Sequence, residues 1–160
     1  MSDELVVGIS DMKIARAPQE LISYALGSCV GICIIDKVKK VAGMVHVMLP
    51  SSSIGDNVNA FKYADTGIPE MVKQMEALGC LRAHMTAKIA GGAKMFEIKS
   101  TSTIGNIGER NVLATKEVLS KLNIKITSQD VGANYGRTIT FNSSSGDLKI
   151  KSFAKDVKII

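Results

Sequence analysis

The chain has 160 residues, of which 46% are hydrophobic and 22% are charged, proportions typical of a globular domain rather than of a disordered chain. No window holds the roughly 18 uninterrupted apolar residues of a membrane-spanning helix, so no direct membrane insertion is expected. The net charge of +5 comes from scattered basic residues with few aromatic side chains among them, which favours a solvated surface over nucleic-acid binding.

Domain organisation and location follow from the absence of linkers and from the cysteines. We predict a single domain over residues 1–160, with a core at about 5–152 and a C-terminal tail, 153–160, left unassigned. Three cysteines without regular spacing indicate reduced thiols and a cytoplasmic location rather than a disulfide framework. The stretch "MSDELVVGIS" has acidic residues where a secretory signal has basic ones, which agrees with that location.

The N-terminal part of the chain is predicted to form strands. "ELVVGI" and "MKIARA" are short strands, and Pro18 ends the second. "ELISYALGS" leads into Val30 to Ile35, which is apolar on both faces and is therefore predicted to be a buried strand. A turn at Asp36 to Lys40 returns the chain as a second apolar strand, Val41 to Leu49, which Pro50 ends.

Two helices and further strands follow. An apolar face predicts a helix from Lys62 to Leu78, with Gly79 as its stop and Pro69 either starting its main body or kinking it. A second helix spans about Gly108 to Leu122, with Asn106 as its N-cap. "AHMTAKIAGGAKMF", "IKITSQD", "RTITFN" and "LKIKSFA" are predicted strands. These elements favour an α+β fold in which mixed sheets pack with helices.

The two apolar strands bring Cys29 and His46 near each other if they form a hairpin. In one register Cys29 lies directly across from His46, with Cβ atoms roughly 5 Å apart. In the alternative register Cys29 faces Val47 and His46 turns to the other side of the sheet. The sequence leaves both registers open.

A neighbouring imidazole would make Cys29 a candidate nucleophile, because it accepts the thiol proton and the resulting ion pair lowers the cysteine pKa. Gly27 and Ser28 would let a substrate approach closely and leave N–H groups free for an oxyanion. Ser23 would supply a hydroxyl that orients the histidine. The alternative is that Cys29 only fills the core, and from the residues alone that alternative stays open.

Other uses of these residues are less favoured. Cys29 and Cys33 are roughly 13 Å apart along a strand, too far to share a metal ion, so no metal is expected. Cys33 and Cys80 are predicted to be structural, and without a resolving cysteine a redox sensor is disfavoured. Two glycine-rich stretches are predicted turns. They would otherwise form a rim around the site, through Gly91, Gly92, Asn134 and Arg137.

Several segments together resemble the CheD-type chemoreceptor glutamine deamidases. They occur in order over about residues 5–152 and are "LGSCVGI", "GMVHVMLP", "KYAD", "KIAGGAKMF", "IGERN" and "DVGANYGRTITFN". The resemblance implies a fold similar to the cytotoxic necrotizing factor deamidases, a sandwich of mixed sheets with flanking helices. It places Cys29 on the family's nucleophile, His46 on its base and Ser23 on the position of a threonine.

The resemblance also implies a function. It predicts hydrolysis of receptor glutamine side chains to glutamate and ammonia through a Cys29 thioester, without cofactor or metal. The expected partners are the cytoplasmic domains of chemoreceptors (methyl-accepting chemotaxis proteins) and a CheC-type chemotaxis phosphatase, with Phe96 as a guessed anchor for a partner. The alternative is a non-catalytic regulatory module that acts by binding that phosphatase.

Overall fold

The structure, a computed structural model, describes residues 3–52, 59–94, 106–152 and 155–160. The strands of these residues are β1 (Glu4–Val6), β2 (Met12–Arg16), β3 (Glu20–Leu26), β4 (Val30–Asp36), β5 (Val41–Val47), β6 (Met85–Gly91), β7 (Lys125–Val131), β8 (Arg137–Asn142), β9 (Leu148–Ser152) and β10 (Lys158–Ile159). The helices are α1 (Ala64–Ala77) and α2 (Ile107–Lys121). The strands form one sheet of order β1-β3-β8-β9-β10 and a second of order β2-β5-β4-β6-β7.

The second sheet is the middle layer of the fold. Helices α1 and α2 pack on one of its faces, and the first sheet covers the other. Every residue of β4 and β5 is buried as a result, which explains why both strands are apolar almost throughout. The predicted α+β sandwich of mixed sheets with helices is confirmed.

The helices lie close to their predicted positions. A 3₁₀ turn at Ala60–Lys62 precedes α1, and Pro69 lies inside that helix rather than at its start. The predicted cap of α2 is confirmed, because the side-chain oxygen of Asn106 accepts a hydrogen bond from the N–H of Glu109 at 3.3 Å. The tail, left unassigned from the sequence, contains β10, which pairs antiparallel with β9.

The β4–β5 hairpin has neither of the two predicted registers. Val30 pairs with Val47, and Gly31 pairs with His46. This pairing is shifted by two residues from the register that opposed Cys29 to His46. Because strand side chains alternate with a period of two, the shift keeps His46 on the face of the hairpin expected for Cys29. That face is directed towards the first sheet.

The two sheets pack closely at Gly31, where there is little room for a side chain. A Cβ at this position would lie 2.5 Å from the Cδ1 atom of Ile139 and 3.3 Å from that of Leu26. Real Cβ atoms are not found so close to another heavy atom, so a larger residue would force the side chain of Ile139 to move. The glycine directly opposite His46 therefore lets the first sheet approach this histidine.

Candidate active site

Cys29 lies in the short loop between β3 and β4, at one end of the space between the sheets. It is partly exposed and packs against the apolar cluster that separates the two sheets. Cys33 and Cys80 are buried, as predicted for structural cysteines. Among the three thiols, Cys29 is therefore the one that solvent or a substrate reaches.

Ser23 lies on the same inward face of β3 as Leu21, and a β-bulge follows it in the strand. The pairing of β3 with β8 shifts between Ser23 and Leu26, and Ala25 has a positive φ of 56°. Ser23 and Leu26 are consequently both buried, whereas Tyr24 and Ala25 are both exposed. In a regular strand, residues three apart point to opposite faces. The bulge thus lets Leu26 be buried on the same side as Ser23 as the strand ends.

Ser23 and His46 meet between the sheets and their hydrogen bonds identify the tautomer of the imidazole. Ser23 Oγ is 2.8 Å from the carbonyl oxygen of Val7 and 2.8 Å from Nδ1 of His46. The carbonyl only accepts, so the single hydroxyl proton of Ser23 is donated to Val7. Nδ1 of His46 therefore carries a proton and donates it to Ser23, which leaves Nε2 unprotonated.

The unprotonated Nε2 of His46 is buried and has no hydrogen-bond partner within the described part of the chain. A buried polar atom without a partner is costly and occurs most often where function requires it. The strand partner of His46, Gly31, is two residues from Cys29. The backbone pairing thus places a proton acceptor close to the loop that carries the accessible thiol, and the two side chains share no hydrogen bond in the substrate-free protein.

Burial shifts both pKa values towards the neutral forms. Burial raises the pKa of the Cys29 thiol, and the backbone N–H of the same residue offsets part of that effect. Burial also lowers the pKa of His46 to about 4. At neutral pH the resting pair is a thiol and a neutral imidazole. The predicted ion pair, with a lowered cysteine pKa, is contradicted in the substrate-free protein.

Three consecutive carbonyl groups of the Cys29 loop face the interior. The N–H of Ala93 donates to the carbonyl of Gly27, and the N–H of Gly92 donates to the carbonyl of Cys29, both at 2.9 Å. The carbonyl of Ser28, between them, accepts from a side chain of α2 at 2.9 Å. Hydrogen bonds to all three carbonyl groups therefore hold the loop in place.

These carbonyl bonds determine where the loop N–H groups point. In a trans peptide the N–H lies opposite the C=O of the preceding residue. The N–H groups of Ser28 and Cys29 are consequently directed away from the interior, and neither donates to another residue in the described ranges. Free N–H groups beside a nucleophile are what an oxyanion requires. The oxyanion role predicted for Gly27 and Ser28 stays a prediction, and the outward N–H groups of Ser28 and Cys29 are the donors that it requires.

Comparison with known proteins identifies the family. A family model described as "CheD chemotactic sensory transduction" matches residues 48–152. A protein of Lachnoclostridium phytofermentans named "Probable chemoreceptor glutamine deamidase CheD" is 51% identical over 161 residues, which cover 100% of both chains. The chain belongs to the CheD family.

Two further relatives cover nearly the whole chain. One with the same printed name, from Caldanaerobacter subterraneus, is 51% identical over 98% of this chain and 97% of its own. "Chemoreceptor glutamine deamidase CheD" of Bacillus licheniformis is 47% identical over 96% of this chain and 93% of its own. The resemblance drawn from six short segments is thereby confirmed over the full length, including the Cys29 and His46 region outside the family-model match.

Most of the rim residues suggested by the sequence are not at an open rim of this CheD-family site. Gly91, Gly92 and Arg137 are buried beneath the Cys29 loop. The guanidinium of Arg137 donates to Asp130 at 3.0 Å and to the Gly91 carbonyl at 3.5 Å, so it supports the loop from below. Asn134 is exposed, and Phe96 lies outside the described residues.

The described part of the chain meets the requirements of neither a metal site nor a membrane-spanning helix. Within the described ranges, no group of three or more His, Cys, Asp or Glu side chains is placed to hold a metal ion. Neither α1 nor α2 is long and apolar enough to cross a membrane, and the same holds for every described helix.

Sequence reasoning missed one residue of the site, Asn111. Its side chain is fully buried, and its amide nitrogen is the donor to the Ser28 carbonyl. The signal was available in the family segment "IGERN" and in the helical pattern, where Asn111 lies one position before the buried Val112. An asparagine beside the apolar stripe of a helix was an unexplained polar group.

A substitution at Gly91 tests the support of the Cys29 loop. Gly91 has a φ of +112°, and an added Cβ would overlap the carbonyl oxygen of Cys29. We expect Gly91→Ala to lower the free energy of unfolding by about 2–4 kcal/mol, from backbone strain plus overpacking. Chemical denaturation measures this loss.

Gly132→Ala is the matched control for this substitution. Gly132 also has a positive φ, of +83°, but no atom lies within 4 Å of its added Cβ. It should lose only the strain contribution, about 1 kcal/mol. Equal losses in the two variants would show that contact with the Cys29 loop contributes nothing.

Proposed function

We propose that this protein deamidates glutamine side chains of chemoreceptors with Cys29 as nucleophile and His46 as base. The observation that carries the proposal is the hydrogen bond between Ser23 and Nδ1 of His46, which leaves Nε2 as an unpartnered acceptor on the strand that pairs with the start of β4, directly after the accessible Cys29. Membership of the CheD family, whose curated relatives are named chemoreceptor glutamine deamidases, supplies the substrate class.

The first half of the reaction forms a thioester. Nε2 of His46 accepts the thiol proton as Sγ of Cys29 attacks the carboxamide carbon, because the two groups are neutral before attack. The carbonyl oxygen of the substrate becomes an oxyanion and accepts hydrogen bonds from the N–H groups of Ser28 and Cys29. The protonated His46 then donates its proton to the amide nitrogen, and ammonia leaves.

The second half releases the product. His46, again neutral, accepts a proton from a water molecule that attacks the thioester carbon, and Cys29 leaves as a thiol after receiving that proton. Each turnover consumes one water and converts a neutral amide into a carboxylate, and the released ammonia takes up the proton of the new carboxylic acid as ammonium. Ser23 remains the acceptor for Nδ1–H throughout, so it keeps Nε2 directed at the reacting atoms. The scheme requires no cofactor.

Two partners are proposed, the receptor as substrate and a phosphatase that the family resemblance implies. The substrate is the cytoplasmic part of a chemoreceptor, and the protein acts in the cytoplasm. A CheC-type phosphatase is the second proposed partner, which would compete with receptors for the surface around Cys29. A non-catalytic module that only binds this phosphatase remains the alternative, and the accessible thiol with its histidine favours the enzyme.

Mass spectrometry of a receptor cytoplasmic fragment tests the function. After incubation with this protein, specific glutamines are expected to become glutamates, with one ammonia released per site. Receptor from the same organism, without the phosphatase, is the appropriate substrate. Absence of conversion under these conditions would contradict the enzyme and favour the regulatory module.

The role proposed for Ser23 is tested by two substitutions. Ser23→Ala removes the acceptor for His46 Nδ1–H, and we expect kcat to fall about tenfold, the effect of losing one hydrogen bond of roughly 1.4 kcal/mol. Ser23→Thr retains the hydroxyl and is the matched control, which should keep kcat near the original value. A Ser23→Ala variant as active as the unchanged protein would contradict an orienting role.

A further inference from the structure

Asn111 connects three parts of the fold around the candidate nucleophile. It lies on α2, and its side chain is fully buried. The amide nitrogen donates one hydrogen bond to the carbonyl of Ser28 and one to the carbonyl of Met48, both at 2.9 Å. Ser28 precedes Cys29, and Met48 follows the strand that carries His46. A single side chain thus joins the nucleophile loop to the end of the base-bearing strand.

Burial of the Asn111 side chain costs free energy that an apolar residue at this position would avoid. Both amide protons are used, but the side-chain oxygen is buried without a partner among the described residues. Burying an unsatisfied polar atom is unfavourable, and an apolar side chain of the same shape would avoid it. The two hydrogen bonds to backbone carbonyls are therefore the feature that distinguishes asparagine from leucine at this position.

The bond to Ser28 controls the orientation of the next peptide group. The carbonyl of Ser28 and the N–H of Cys29 belong to one planar trans peptide and point in opposite directions. By holding the carbonyl inward, Asn111 directs the N–H of Cys29 outward, where an oxyanion forms beside the thiol. The flanking carbonyls are held by backbone N–H groups, so this is the peptide of the loop that depends on a side chain.

We propose that Asn111 is a positioning residue of the reaction, which orients the Cys29 N–H as an oxyanion donor and fixes the Cys29 loop relative to His46. The proposal rests on the deamidase function proposed above. Asn111 itself touches neither the thiol nor the imidazole through any hydrogen bond that the structure records. Its effect on the rate therefore passes through the loop.

Asn111→Leu tests this role, because leucine has nearly the same shape and lacks both donors. We expect kcat for receptor glutamine to fall about 100-fold, the typical effect of losing one oxyanion donor, with KM nearly unchanged. Asn111→Ser is a second, smaller variant for the case that Asn111→Leu does not fold. If neither variant folds, Asn111 is a folding residue and the proposal is overturned.

Thr115→Val is the matched control. Thr115 lies one turn further along α2, is equally buried and has a hydroxyl without a partner among the described residues. The substitution changes a buried polar group on the same helix without touching the Cys29 loop, and kcat should stay unchanged. Equal losses in Asn111→Leu and Thr115→Val would show a general packing effect and overturn the proposal.

Alkylation of Cys29 by iodoacetamide provides a readout that does not require turnover. The Cys29 N–H stabilises the thiolate of its own residue, so a reoriented peptide should move the alkylation curve of Asn111→Leu to higher pH. If the unchanged protein deamidates no glutamine, the proposed function fails. The alkylation curves still show whether Asn111 controls the orientation of the peptide group between Ser28 and Cys29. A folded variant with an unchanged curve would overturn the proposal.

Discussion

Replacing Cys29 with alanine is expected to lower the rate of glutamine conversion by about 10⁴-fold or more. Removal of a nucleophile abolishes the covalent route and leaves only the contribution of binding and oxyanion contacts. Because Cys29 is partly exposed in a loop, the fold should hardly change. Mass spectrometry of the receptor fragment measures the rate, and denaturation measures the free energy of unfolding.

Cys33→Ala is the control that separates chemistry from structure in this experiment. Cys33 is buried on the neighbouring strand, and burial raises the pKa of its thiol far beyond the physiological range. The variant should lose stability through a small cavity, by roughly 1 kcal/mol, and keep its rate. If Cys33→Ala lost its rate while Cys29→Ala stayed active, Cys33 would be the nucleophile and the role proposed for Cys29 would be contradicted.

The layered fold was predictable because its signals are local. The strands β4 and β5 are apolar on both faces, and that pattern predicts a sheet covered on both sides. The end of α1 at Gly79 and the N-cap of α2 at Asn106 were likewise visible in the sequence. The two-residue strand β10 was not, because so short a segment carries no periodicity and depends on pairing with β9.

The contact between Ser23 and His46 was predictable from the sequence, but the hairpin register was not. The two side chains are hydrogen-bonded as expected, whereas both predicted registers were wrong. Register depends on how both strands pack in the whole sheet, including the close approach allowed by Gly31, and no local pattern determines it. The bulge at Ala25, which lets Leu26 be buried on the same side as Ser23, is equally a consequence of pairing with β8.

The resting charge state was also beyond the sequence. Proximity of a thiol and an imidazole suggested an ion pair, but the outcome depends on burial. The two sheets leave His46 only 2% exposed, and desolvation disfavours its charged form. In the proposed mechanism, proton transfer from Cys29 to His46 therefore accompanies the attack on substrate instead of preceding it.

Replacing His46 with alanine should lower kcat by about 10³- to 10⁴-fold, since both proton transfers of the proposed reaction use this residue.

The pKa of His46, which burial lowers to about 4, should also determine the pH at which the unchanged enzyme loses activity in acid. As pH falls, kcat/KM should decline near pH 4, where His46 becomes protonated, and not near 6.5 as for a solvated histidine. Rates measured between pH 3.5 and 8, over a range in which the protein stays folded, check both statements. A decline centred near 6.5 would contradict a buried neutral base.

The same lowered pKa predicts how stability depends on pH. Between pH 6.5 and about 4 the unfolded chain binds a proton at His46 that the folded protein does not, so acid favours unfolding. The free energy of unfolding should therefore fall by up to about 3 kcal/mol as pH drops through this window, and this contribution should be complete below about pH 4. His46→Ala should lose that part of the pH dependence. His84→Ala, which replaces the other histidine at an exposed position, is the control and should retain it. If the free energy of unfolding changed equally in the two variants between pH 7 and pH 5, the acid sensitivity would arise from residues other than His46.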